Sequence, residues 1–99
     1  MHHEVTEPQI IPIKPHDGLV AFASVVLDRD LYLGGIGIYT RPEGGYRLAY
    51  PTRKSGNNSF PVYHPISKQF TDLLTEVVVS KYEEVTKTYD RYNNPDSRE

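Results

Sequence analysis

The sequence predicts an α+β domain: a small antiparallel β-sheet of four to five strands in a meander, with one long C-terminal α-helix packed on it. Three observations lead there. Extended apolar runs follow one another with tight turn signals between them, at Pro15-His16-Asp17-Gly18, Asp28-Arg29-Asp30 and Pro42-Glu43-Gly44-Gly45. No helical segment separates these runs, as a parallel βαβ arrangement would require. From Ser67 the apolar period changes from strand-like to helical.

Taken in order, Val5 to Ile13 (VTEPQIIPI) is extended, and Pro8 and Pro12 cannot donate to a ladder, which confines it to an edge. Asp17-Gly18 supplies the next corner. Leu19 to Asp28 is the strongest strand. Leu19, Ala21, Ala23, Val25 and Leu27 fall on one face and Val20, Phe22 and Val26 on the other, which predicts a central strand covered on both sides. In Leu31 to Tyr39, Gly35 and Gly37 share a face with Tyr39, while Ile36 and Ile38 point the other way. Glycines in a strand mark a bulge or a close approach, so Gly35, Gly37 and Tyr39 form the candidate dimer or interaction face.

Tyr46 to Tyr50 reads as the next strand. A polar basic loop at 51–59 follows, then a short strand from Phe60 that stops at His64-Pro65. Phe70, Leu73, Leu74, Val77, Val78, Val85, Tyr89 and Tyr92 then form one helical stripe, with Ser67 as N-cap. Val77 to Val79 are poor helix formers, so the helix draws its stability from the sheet. Asn93-Asn94-Pro95 ends it. A single domain over residues 1–92 and a disordered tail at 93–99 are expected.

Composition limits the function classes. The 99 residues include eight tyrosines and neither tryptophan nor cysteine. A chain this short buries roughly 60–70% of its unfolded surface, and tyrosine suits shared interfaces, so a homodimer is expected. Without cysteine there is no disulfide framework, thiolate metal site or thiol nucleophile. No apolar run approaches a membrane span and no leader precedes the domain, so the protein is expected to be cytoplasmic and off the membrane. The net charge of −2 argues against a strongly basic nucleic-acid binder, although local patches decide such binding.

No catalytic constellation emerges. His16, His64, Asp17, Asp28 and Asp30 share no spacing, and His64 before Pro65 reads as a turn residue. His2-His3-Glu4 is terminal and a poor metal site. Gly34-Gly35-Ile36-Gly37 lacks the helix and the Gly-Lys-Ser/Thr of a phosphate loop. No enzyme, metal or cofactor is expected.

The segment Leu48 to Ile66 (LAYPTRKSGNNSFPVYHPI) is the better candidate. Arg53 and Lys54, with Thr52, Ser55, Asn57 and Asn58, offer charge and hydrogen bonds to phosphate oxygens. Arg41 and Arg47 lie on neighbouring connections, and Lys68 sits at the helix start. A solvated hairpin tip explains the same residues equally well.

The order of features resembles the stage V sporulation protein G (SpoVG) family of small bacterial regulators. The matching segments are Glu4-Val5-Thr6-Glu7, Ala21-Phe22-Ala23-Ser24-Val25-Val26-Leu27-Asp28, Ile36-Gly37-Ile38-Tyr39, Leu48-Ala49-Tyr50-Pro51-Thr52-Arg53-Lys54 and His64-Pro65-Ile66, over roughly residues 4–85. The resemblance implies the antiparallel sheet with its C-terminal helix, a homodimer, site-selective DNA and RNA binding, and a regulatory role in septation, sporulation and gene expression. It places the family's basic element on Pro51, Thr52, Arg53 and Lys54. Departures accompany it. Gln9-Ile10-Ile11-Pro12-Ile13 and Gly18-Leu19-Val20 stand where the family carries cations, and an arginine early in the helix is replaced near Thr71. The resemblance therefore implies nucleic-acid binding weakened by those losses. A protein-interaction module in cell-division regulation, with no nucleic-acid binding of its own, is the alternative.

Overall fold

The computed structural model describes residues 2–93, with side-chain surroundings given through Lys87. Four strands, β1 (Val5–His16), β2 (Leu19–Leu27), β3 (Leu31–Thr40) and β4 (Tyr46–Ala49), form an antiparallel meander in the order β1-β2-β3-β4. The strands β5 (Thr52–Ser55) and β6 (Asn58–Pro61) make a separate two-stranded sheet, and α1 (Lys68–Asn93) closes the described chain. The architecture is the α+β sheet-and-helix arrangement that the sequence predicts. The stretch at 51–59 is not a loop, however: Gly56 at φ 63° turns the chain so that Ser55 pairs with Asn58, and the polar residues on both sides become strands. A left-handed glycine at the first central position is what a two-residue hairpin corner demands.

Strand β1 is an edge, as its prolines require. Glu7 at φ 52° and a register shift between Thr6 and Gln9 place a bulge beside Pro8, which blunts the open edge against further pairing. Strand β2 is central, between β1 and β3. One of its faces is sealed. Ala21, Ala23 and Val25 join Leu33, Ile36 and Ile38 of β3 and Leu74 and Val78 of α1 in a fully apolar core. The alanines keep that face shallow enough for the helix to lie close.

The other face departs from the expected two-sided cover. In this single chain Phe22 is 39% exposed and its β1 partner Ile11 65%. The face assignment shifts as well. A register jump leaves Val20 unpaired between Leu19 and Ala21, so Leu19 turns to the open face, where its Cδ1 would lie 3.1 Å from a Cβ built on Gly37.

Ser67 caps α1 as expected, its Oγ accepting from the Phe70 amide at 3.1 Å. The hydroxyls of Thr71, Thr75 and Thr86 donate to the carbonyls of Ser67, Thr71 and Tyr82, which satisfies them within the helix. Phe70, Leu73, Val77 and Val85 flank the buried pair on the predicted stripe. The surroundings of Tyr89 and Tyr92, and the tail beyond Asn93, lie outside the described residues. Among those residues no helix is long and apolar enough to cross a membrane.

Candidate nucleic-acid interface

The ribbon β5–β6 carries the strongest candidates. All eight of its strand residues are exposed. Successive side chains on a strand point to opposite faces. Arg53, paired with Phe60, therefore lies on one face and Lys54, paired with Ser59, on the other, with Thr52 on the Lys54 side. The two adjacent cations do not form one flat patch; they flank the ribbon. Neither makes an ion pair among the described residues.

The ribbon's base is fixed although its body is free. The Val62 amide donates to the Pro51 carbonyl at 2.9 Å, which closes the ribbon's foot. Tyr63 then donates its hydroxyl to the Gly34 carbonyl at 2.7 Å, pinning the chain just past β6 to a part of β3 that β4 does not pair. Tyr50 meets Tyr63 edge-to-face, with ring centroids 5.9 Å apart. The Tyr50 hydroxyl is buried without a hydrogen-bond partner among the described residues.

Burial, with the neighbouring phenols of Tyr50 and Tyr32, pushes the Tyr63 hydroxyl up to about 12 from 10.0. The sign follows from linkage. Both states hold the proton below pH 10; between pH 10 and about 12 only the folded state does, so stability falls as pH rises through that window. Tyr50 shifts upward through burial, and Lys68 through its hydrogen bond to Asp72, so both act in the same direction. Chemical denaturation across this range is expected to show the loss, and Tyr63→Phe to remove part of its slope.

The peripheral cations differ from Arg53 and Lys54. Arg41 donates to Glu43 at 2.6 Å, and Lys68 donates to Asp72 at 2.7 Å. Each is a surface pair of small energetic worth that nonetheless compensates its own charge. Glu43 is held below its usual range by its own backbone amide and by Arg41. The Arg47 guanidinium sits 4.5 Å above the Tyr39 ring. The structure does bring Arg41 and Arg47 to one groove, beside Tyr50, Thr71 and Asp72, between β4 and the first turns of α1. Lys68 does not line that groove, although its partner Asp72 does.

Gly37 and Tyr39 share the sheet face opposite the core, where Gly37 is itself buried. A Cβ on Gly37 would approach Leu19 Cδ1 at 3.1 Å and Tyr39 Cε2 at 3.3 Å. Gly35 departs from the alternation. It sits at φ 72° in the bulge between the Ala23–Ile36 and Val25–Leu33 pairs, beside Pro51.

The histidines serve local structure. His64 Nδ1 lies 3.1 Å from the Pro65 carbonyl, and His3 Nδ1 lies 2.9 Å from Asp28 Oδ2. The Glu4 amide and then His3 hold the Asp28 carboxyl below its usual range. Among the described residues no group of three or more histidine, cysteine or acidic side chains is placed to hold a metal ion.

Sequence reasoning missed the anchoring roles of Tyr50 and Tyr63 and one electrostatic signal. Between Glu43 and Asp72 the chain has no carboxylate but carries Arg47, Arg53, Lys54 and Lys68. A chain with a net charge of −2 thus contains a 28-residue stretch that is wholly cationic or neutral. That stretch spans β4, the ribbon and the helix start.

Comparison with known proteins matches the SpoVG family model over residues 3–84. A relative from Archaeoglobus fulgidus, named "Putative septation protein SpoVG", is 30% identical over 82 residues, covering 82% of this chain and 95% of the relative. A Treponema denticola protein of the same name is 30% identical over 81 residues, covering 81% of this chain and 86% of that protein. With the family model spanning the sheet, the ribbon and most of α1, this chain belongs to the SpoVG family.

Proposed function

We propose that this chain is a non-catalytic, homodimeric regulator of the SpoVG type that binds nucleic acid through the β5–β6 ribbon. It acts in the cytoplasm, without a cofactor, on septation, sporulation and gene expression. One observation carries the reading: Arg53 and Lys54 stand on an exposed ribbon, anchored at its foot, with no acidic partner among the described residues, whereas Arg41 and Lys68 each have a carboxylate beside them. Arg53 and Lys54 hold phosphates, with Thr52 beside them and Lys68, Arg47 and Arg41 as outlying cations. The septation role follows the names of the relatives.

Electrophoretic mobility shift with mixed DNA and RNA pools, on protein of measured mass, tests the reading. Salt-sensitive shifts that disappear in Arg53→Ala/Lys54→Ala are expected. A folded dimer that shifts neither pool at high micromolar concentration contradicts it.

The open sheet face supports a second reading, in which Tyr39, with Gly37 buried beneath it and Leu19, and the exposed Gly35 of the neighbouring bulge engage a second copy or a division partner and nucleic acid is not bound. Ile11 and Phe22 leave apolar surface there that the described residues do not cover. In Gly37→Val the first atoms met are the ends of the Leu19 and Tyr39 side chains, which can yield. The fold is therefore expected to survive, as read by circular dichroism, while the face changes shape and association is lost in sedimentation. An unchanged sedimenting mass contradicts that use of the face.

A further inference from the structure

The placement of the ribbon's side chains carries the nucleic-acid reading one step further, to the form of nucleic acid and the way it is read. We infer that the β5–β6 ribbon enters the major groove of duplex DNA, with Arg53 and Lys54 reaching opposite phosphate walls and Asn57 and Asn58 at the tip contacting base edges. The inference rests on the nucleic-acid reading above.

Four observations converge on it. The ribbon is exposed along its whole length, so nothing among the described residues blocks its insertion. Its cations lie on opposite faces. A surface tracking one strand would instead line its cations along one side, with several rings for stacking; among Thr52 to Pro61 the one aromatic residue is Phe60. Two paired strands are about 4.8 Å apart, and the major groove of B-form DNA, about 12 Å wide, admits such a ribbon. The narrow major groove of A-form RNA does not.

The tip completes the picture. Asn57 occupies the second central position of the corner and Asn58 pairs with Ser55, so both amides stand at the end that goes in deepest. An asparagine amide can donate to adenine N7 and accept from its N6 amino group, a pairing that no phosphate contact supplies. Arg53 and Lys54 set affinity and depth, while Asn57 and Asn58 set sequence preference.

Fluorescence anisotropy on three probes of one sequence, as duplex DNA, duplex RNA and single-stranded DNA, tests this in wild type and in Asn57→Ala/Asn58→Ala. Neither asparagine has a positive φ, so alanine is compatible with the turn. Wild type is expected to bind duplex DNA at least about tenfold more tightly than the other two probes. Methyl green, a major-groove ligand, is expected to displace it and netropsin, a minor-groove ligand, is not. The double variant is expected to lose roughly tenfold to a hundredfold in discrimination across a randomised duplex pool while keeping its salt-sensitive binding. Equal or tighter binding to RNA or single strands, displacement by netropsin, or unchanged discrimination in the variant overturns the inference and leaves the broader reading standing. Absence of binding to all three probes overturns both.

Discussion

Leu74→Ala is expected to destabilise the protein by about 2–5 kcal/mol, the cost of emptying a fully buried leucine site. Leu74 is 0% exposed and packs with Val78 against a sheet face floored by Ala21, Ala23 and Val25. Those neighbours are short or β-branched, so they collapse poorly into the vacated space. The total stability of a domain of this size is about 5–15 kcal/mol, so this single change removes a large share of it. Leu31, at 53% exposure, is the control: Leu31→Ala is expected to shift stability by no more than about 0.5 kcal/mol. Urea denaturation of the two variants beside the wild type measures both. Equal effects would mean that α1 does not seal the core.

Arg53→Ala/Lys54→Ala is expected to weaken nucleic-acid binding by at least about a hundredfold at low salt without changing the fold. Charge-assisted hydrogen bonds are worth about 1.5–3 kcal/mol each, and about 1.4 kcal/mol is tenfold in affinity. Both side chains are exposed and make no ion pair among the described residues, so their removal leaves no buried group there unsatisfied and costs little stability. The same substitution at Arg41 and Lys68 is expected to do less, because each already has a carboxylate beside it. Titrations of both double variants on one probe compare the two sets of cations.

Much of the fold could be read from local chemistry. Pro8 and Pro12 put β1 at the edge, the turn residues delimited the meander, and Ser67 announced the helix. What could not be read depended on register. A bulge at Val20 reverses the face of Leu19, and alternation along the sequence carries no warning of it. The ribbon was hidden because Thr52 to Ser55 are polar and exposed; they pair only because Gly56 brings Asn58 opposite Ser55.

At the candidate site, Arg53 and Lys54 stood out by their adjacency. Their separation onto opposite faces becomes visible only once the segment is known to be a strand. The neutralisation of Lys68 was legible in its spacing, since Asp72 lies four residues on along the helix. The anchoring of Tyr63 on Gly34 was not, because the two lie 29 residues apart and meet only through the sheet edge.

The most direct test of the ribbon's role is the salt dependence of binding, measured on one duplex DNA for wild type and Arg53→Ala/Lys54→Ala. Each phosphate contact contributes about 0.9 to the slope of log affinity against log salt. The slope is expected to fall by about two if one ribbon of the dimer engages the duplex, and by about four if both do. Identical slopes for the two proteins would show that Arg53 and Lys54 touch no phosphate, and would contradict the ribbon as the binding element.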